Sequence, residues 1–298
     1  MKLIKVANKL IDPVYFYRPS QIVKRLRHFF LPTRKEKCVH LPWGGILSVK
    51  TTEKNGRTIL HRGLKELVVT ESCFRLAESG AVHVDAGANI GHMTSAIAHA
   101  SNLTDSSGRE NGTVHAFEPH PVVFERLQRN VIQIRKEVPN ANVQAHNVAL
   151  TNKNGTLDLY IPHKWSENEG LASLEKKQDS KKVEVKANRL DNIISSPIQL
   201  LKLDVEGHEY SALNGCKKII KNKIIKYVIF EDFNIQDSRT RDFLQAHGYS
   251  IFAVQQTLRG PHLTRRLNGP QYNFIAAIDA AACKQCFSAS GWRCLRNK

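Results

Sequence analysis

Short apolar runs recur along the chain, each closed by a polar or acidic residue and followed by apolar positions at helical spacing. The run 82–84 ends at Asp85, and residues 90–100 continue as a helix pattern. The run 113–117 ends in Glu118-Pro119, and Pro121 opens a helix carrying Val122, Phe124, Leu127, Val131 and Ile134. A third strand is predicted over 143–148, ending near Asn147, a fourth up to Asp204, and a fifth over 227–230 before Glu231-Asp232. Residues 250–254 and 273–278 read as the last two strands, with a basic loop between them. Strand and helix alternate, which predicts an α/β domain with a mostly parallel sheet flanked by helices. Alternating residues at 155–161 and 182–188 predict an inserted β-hairpin, joined by the long polar loop 162–180 with Trp165.

Upstream, residues 39–50 predict a hairpin around Gly44-Gly45, and residues 63–76 a helix with Leu67, Val68, Cys73 and Leu76 inward. Residues 3–11 and 20–31 show helical spacing with Lys and Arg on the other face, broken at Pro13 and Pro32. Basic amphipathic helices lie on nucleic acid or anionic membranes, or they cap a domain with their apolar side inward. The cap is the preferred reading. The expected division is a basic cap over 1–60, the main domain over 61–280 and a basic, cysteine-containing tail over 281–298.

The turn 85–91 pairs a strand end with a helix start, where backbone N–H groups face a ligand. Gly87 and Gly91 let the backbone come close, and Asn89 tolerates a left-handed conformation. A dinucleotide fingerprint would need glycines at 89 and 92, where the chain has Asn89 and His92, and no P-loop Gly-Lys-Ser/Thr is present. A carboxylate at the end of the second strand, Glu118, suits a ribose diol. An amide at Asn147 either pairs with an adenine or forms an ordinary turn. Glu66 faces either ligand or solvent. Asp204, Glu206, His208 and Glu209 crowd one strand's C-terminal edge, and helix capping explains only part of that cluster.

Charge alters this picture in one place. Lys and Arg number 44 against 27 Asp and Glu, a net of +17, and residues 1–37 hold ten of them against Asp12 and Glu36, a net of +8. Six scattered cysteines lack the density of a disulfide scaffold. Cys283, Cys286 and Cys294 offer three thiolates without a fourth partner beyond His262, so no metal site is expected. Lys2, Lys5 and Lys9 interrupt any leader-like apolar run, and no run reaches the ~20 residues of a transmembrane helix. A cytoplasmic protein is expected.

Taken in order, VDAGANIGHMT (84–94), AFEPHPVVFERLQRN (116–130), LLKLDVEGHEYSALNGC (200–216) and VIFEDF (228–233) resemble the FkbM family of S-adenosylmethionine-dependent methyltransferases, over roughly residues 60–280. The resemblance implies a Rossmann-like class I methyltransferase fold of seven strands, the last antiparallel, with S-adenosylmethionine as cofactor. It implies Asp85 and Gly87 beside the methionine portion, Glu118 on the ribose and Asn147 near the adenine; Glu66, the turn residues Asn89 and Gly91, and Asp204 join the expected cofactor site. Asp204 and Glu206 match the family's Asp-x-Glu-Gly element, which faces the transferred methyl. Asp204, Glu206, His208 and Glu231 are then the candidate bases. The acceptor implied is a hydroxyl of a small molecule or glycan, anionic if the net charge serves it. A nicotinamide-dependent oxidoreductase and a nucleic-acid-binding protein on a vestigial fold are the competing classes. Gly87→Val is expected to abolish cofactor binding with the fold largely intact.

Overall fold

The computed structural model describes residues 12–30, 35–102, 112–163, 165, 172–174, 180–234, 237–267 and 272–296. The helix expected over 3–11, much of the loop 101–112 and most of the loop 162–180 lie outside these residues. The described chain begins with α1 (Pro13–Tyr17) and α2 (Ser20–Phe30), followed by an antiparallel hairpin of β1 (Glu36–His40) and β2 (Ile46–Lys50). A helix that was not expected, α3 (Lys54–Arg62), comes first, and the helix expected over 63–76 follows as α4 (Leu67–Leu76). Gly63 ends the first in a left-handed conformation, φ 80°. The first helix was hidden by Gly56, normally a weak helix residue. It is needed there because a Cβ would sit 2.1 Å from the Lys50 carbonyl oxygen.

The main sheet then forms in the expected alternation. β3 (Val82–Ala86), α5 (His92–Asn102), β4 (Thr113–Phe117), α6 (Pro121–Glu137) and β5 (Asn142–His146) build one half. The chain leaves the sheet for β6 (Ala149–Leu150) and the antiparallel pair β7 (Gly155–Pro162) and β8 (Ser180–Asn188), which is the predicted insertion. It returns as β9 (Ile198–Leu203), α7 (Glu209–Asn214), α8 (Lys217–Lys221), β10 (Ile225–Glu231) and α9 (Arg239–Ala246). β11 (Ser250–Thr257), β12 (Gly260–Thr264), β13 (Asn273–Ala277) and α10 (Ala280–Cys286) complete it.

The sheet order is β12-β11-β13-β10-β9-β3-β4-β5. β10, β9, β3, β4 and β5 are parallel, and β13 runs antiparallel to both β10 and β11. The seven expected strands are therefore present. An eighth, β12, pairs with β11 at the edge, where a loop was expected. After β3 the chain steps outward through β4 and β5, then crosses back to place β9 on the other side of β3. That reversal opens a crevice at the C-terminal ends of β3 and β9.

Both faces of the sheet are covered, so its central strands are apolar on both sides. Leu200 and Ile229 pack with Ile97, Leu127 and Val131 on one face. Their neighbours Leu201, Val228 and Phe230 pack with Leu213, Ile220 and Leu244 on the other. A third cluster joins the N-terminal hairpin to the tail, with Val39, Leu47, Ile59 and Phe74 against Trp292, Cys294 and Leu295. A buried pair pins the tail there. Arg75 Nε donates to Glu71 at 2.7 Å, and its guanidinium also donates to the carbonyls of Cys286, Ala289 and Gly291.

Two expectations about faces fail. Val122 is exposed while Val123 is buried, because Val123 is the residue in helical register with Leu127, Val131 and Ile134 on the inward stripe. The inward stripe expected of α2 also fails over its described residues, since Ile22, Val23 and Leu26 face outward, while Val14 of α1 is buried against the N-terminal hairpin. Among the described residues no helix is long and apolar enough to cross a membrane.

Candidate active site

Three loops leave the C-terminal ends of β3, β4 and β9 and meet around a hollow of about 710 Å³ that opens to solvent. The first is held by main chain. The N–H groups of Gly87 and Ala88 both donate to the Phe117 carbonyl, at 3.0 and 2.8 Å. Gly87 has φ +74°, and a Cβ there would stand 1.7 Å from the Asp204 carbonyl oxygen. The glycine thus lets two protein loops touch, and it borders the hollow as a consequence. This corrects the reading in which a larger residue would spare the fold. Gly91 packs against α6, where a Cβ would meet Leu127 at 2.9 Å, and it does not line the hollow.

Glu118 closes the same side. Its Oε2 accepts from the Asn89 N–H and its Oε1 from the His120 N–H, both at 2.9 Å. Burial pushes its carboxyl up to about 7, against the pull of those two amides. Asn147 lies behind it, outside the lining, and donates its amide hydrogens to the carbonyls of Glu118 and Pro119 at 2.8 and 3.0 Å. That use opposes the adenine reading and supports a bracing one. Phe117, Pro119, Val148, Leu150, Leu159 and Leu174 supply apolar walls.

The second side is held by charge. Lys202 sits in the otherwise apolar β9 with its ammonium 3.1 Å from Asp85 Oδ1 and 3.4 Å from Asp204 Oδ2. It also donates to the Gly87 carbonyl at 2.9 Å. Burial disfavours its charge, but Asp85, Asp204 and Glu66 outweigh that and hold it above the ordinary lysine value. Asp204 is the mirror case: burial alone would raise it, and Lys202 and Lys65 hold it below the usual carboxylate range. Asp85 is fully buried, and its other oxygen accepts from Thr94 Oγ1 at 2.7 Å. It acts beneath the hollow, not on its wall.

Asp204 also borders a smaller cleft of about 190 Å³ with Glu66, Lys202, Glu231 and Asn273. There burial, together with Asp204 and Glu66, pushes Glu231 up to about 8. Lys65 bridges cleft and hollow. It lines the hollow and pairs with Glu66 at 2.5 Å. Burial works against its charge, while Glu66 and Asp204 hold it above its ordinary value.

Glu206 lines the hollow with its side chain toward solvent. The insertion reaches it: Ser173 Oγ donates to the Glu206 carbonyl at 2.9 Å, while Ser173 pairs through its backbone with Tyr160. Glu209 is the loop's brace, accepting from the N–H groups of Val205 and Gly207 at 3.1 and 3.2 Å. His208 turns away, with Nε2 3.1 Å from Thr151 Oγ1, and lies outside both hollow and cleft. Glu209 therefore braces the loop ahead of α7, whose N-cap His208 makes no side-chain capping bond, and the cluster divides among three jobs.

Backbone strain marks the same place. Among the described residues four non-glycines have left-handed backbones, and three of them, Glu66, Asn89 and Glu206, surround this site with φ of 49–50°. Such conformations persist where surrounding structure fixes them, and they concentrate at functional sites. Sequence reasoning missed Lys202, Lys65 and Ser173. A lysine flanked by leucines in a buried strand was itself a signal, since a buried ammonium demands carboxylate partners. Among the described residues no group of His, Cys, Asp and Glu is arranged to hold a metal ion. Cys283 and Cys294 pack into different clusters.

A mostly parallel sheet with this strand order, an antiparallel penultimate neighbour and a crevice at the β3–β9 reversal define the Rossmann-like class I methyltransferase fold. Residues 85–251 match the family model described as the methyltransferase FkbM domain, and this chain belongs to that family. It is 29% identical over 206 residues to Methyltransferase 1 of Beauveria bassiana (strain ARSEF 2860), covering 60% of this chain and 76% of that one. An FkbM methyltransferase from Methylobacillus flagellatus KT overlaps with TM-score 0.41 at 16% identity, over 76% of this chain and 48% of that one. The chain thus spans under half of that protein's length. A SAM-dependent methyltransferase from Aquifex aeolicus overlaps with TM-score 0.39 at 11% identity, over 74% of this chain and 93% of that one. Strand order, not these overlaps, carries the fold assignment.

Proposed function

We propose that this methyltransferase uses S-adenosylmethionine to methylate a hydroxyl oxygen of a neutral small molecule or sugar. The observation that carries the reading is the position of Asp204 between two spaces of different character. On one side lies the hollow with Glu118 and apolar walls, and on the other the cleft with Glu231.

The donor set of the hollow fits the cofactor. Glu118 retains lone pairs for a ribose diol beyond the two it gives to backbone amides. Phe117, Pro119, Val148 and Leu150 offer a flat apolar slot for a purine. Asp204 and Glu206 offset a positive charge at the mouth, with Asp85 behind them. When bound, S-adenosylmethionine supplies an electrophilic methyl group and departs as a neutral thioether. Everything else falls to the chain. Lys202 fixes Asp204, so that carboxylate stays ionised and is a weak base. Glu231, pushed up to about 8, is matched to accept the acceptor's proton near neutral pH. His208 has no part in this step.

The lining also revises the acceptor. In the cleft Glu66, Asp204 and Glu231 stand against Lys202, with Lys65 paired to Glu66, so the wall offers an anion no excess of positive charge and the basic composition of the chain does not describe its substrate. Six cysteines, all free, accord with a cytoplasmic setting. The experiment is incubation of the full chain with methyl-labelled S-adenosylmethionine and fractionated cell extract, followed by mass spectrometry. Label on a hydroxyl of a neutral molecule supports the reading. Label only on nitrogen, carbon or an anionic acceptor overturns it.

A further inference from the structure

The N-terminal helices carry a surface that catalysis leaves unexplained. Among the described residues nine large hydrophobic side chains are exposed, and five of them lie together on α1 and α2: Phe16, Tyr17, Ile22, Val23 and Leu26. Val23 is 67% exposed and Leu26 55%, while the neighbouring polar Gln21 is 1% exposed. That is the reverse of a helix built to cap a core. On α2 the aliphatic residues Ile22, Val23 and Leu26 point outward and Gln21 packs inward, while Val14 seats α1 on the core.

Charge says what the face meets. Residues 13–35 contain six Lys and Arg and no carboxylate. Lys24 and Arg25 are exposed between the aliphatic positions. Arg25 donates to the Tyr15 hydroxyl at 3.0 Å, which fixes one cation beside the apolar residues. The rim continues into α3, where burial, and then the charges of Arg25 and Arg57, push His61 below its ordinary value. The preceding residues 1–11 add Lys2, Lys5 and Lys9 and no acid, so they cannot neutralise this face. A second copy of the chain would bring like charge against like. Nucleic acid would satisfy the cations but leave five apolar side chains in water. An anionic lipid surface satisfies both.

We propose that α1 and α2 dock this methyltransferase on an anionic bilayer surface, with α2 lying in the headgroup plane. Phe16, Ile22, Val23 and Leu26 enter the acyl boundary, and Lys24 and Arg25 meet lipid phosphates. This rests on the exposed face alone and stands whichever acceptor the active site takes.

The test is co-sedimentation of the full chain with vesicles of equimolar phosphatidylcholine and phosphatidylglycerol, against vesicles of phosphatidylcholine only. The parent should pellet with the anionic vesicles, release in high salt, and stay soluble with the neutral ones. Val23→Ser with Leu26→Ser should weaken vesicle binding about 10-fold. Lys24→Gln with Arg25→Gln should weaken it about 30-fold, from roughly 5-fold for each charge lost near the surface. Melting temperature should hold in both variants, since all four residues are exposed. The proposal is overturned if the parent ignores both vesicles, or if Val23→Ser with Leu26→Ser binds as the parent does. It is also overturned if the parent binds a DNA duplex but no vesicle, or self-associates through this face.

Discussion

The hollow and the cleft share Asp204 but are built from different interactions. Around Glu118 the geometry is set by main chain: Gly87 and Ala88 on the Phe117 carbonyl, and Asn89 and His120 on the carboxylate. Around Glu231 it is set by side-chain charge, with Lys65 and Lys202 holding Glu66, Asp85 and Asp204 together. A backbone-built site tolerates most side-chain changes but no change of backbone fit. A charge-built site tolerates changes of shape but not the loss of one member. The first suits a cofactor held in one pose, and the second suits tuning a proton acceptor.

The sharpest way to break the backbone-built half is Gly87→Val. A Cβ 1.7 Å from a backbone oxygen forces the β3 and β9 loops apart, and we expect a loss above ~4 kcal/mol with little folded protein recovered. A normal melting temperature would contradict the packing role. On the charge-built half, Lys202→Met leaves Asp85 buried and uncompensated. The expected destabilisation is about 3–5 kcal/mol by denaturant titration. Both effects are structural, and cofactor affinity is not their readout.

Chemistry separates the halves next. Glu231→Gln should lower single-turnover rate about 10²–10⁴-fold with cofactor affinity unchanged. In the parent the rate should rise with pH and level off near the value of about 8 to which burial and neighbouring carboxylates push Glu231, because only its ionised form accepts a proton. A flat profile would move the base elsewhere. The smallest effect concerns Glu118, whose carboxyl is pushed up to about 7. A diol donates best to the ionised form, so cofactor affinity should weaken as pH falls through that value. Glu118→Gln should remove the pH dependence. Equal pH dependence in parent and variant would contradict the ribose role.

The two halves also differ in how far sequence exposes them. The β3 turn is local: Asp85, Gly87 and Asn89 stand within a few residues, and their spacing specifies the turn. The alternation of strands likewise predicted the sheet and the inserted hairpin. The cleft joins Lys65 and Glu66 before β3 to Lys202 on β9 and Glu231 on β10, positions that only the crossover brings together. No local pattern marks them. His208 failed for a related reason, since Asp204, Glu206, His208 and Glu209 look alike in sequence until the loop decides which one turns back to brace it. α3 was hidden by a glycine kept for close packing, and β12 by a basic composition that reads as loop. The outward face of α2 showed the same periodicity as an inward one. Periodicity locates a stripe, and only packing says where it points.

Whether the hollow beside Glu118 takes S-adenosylmethionine, as proposed, is decided by calorimetric titration of the full chain with that compound. One saturable site is expected, weakened by about 1.5–3 kcal/mol in Glu118→Ala, the range for a hydrogen bond to a charged group. NAD should give no heat of binding. No binding of S-adenosylmethionine by the folded chain, or equal affinity in parent and Glu118→Ala, would contradict the proposal.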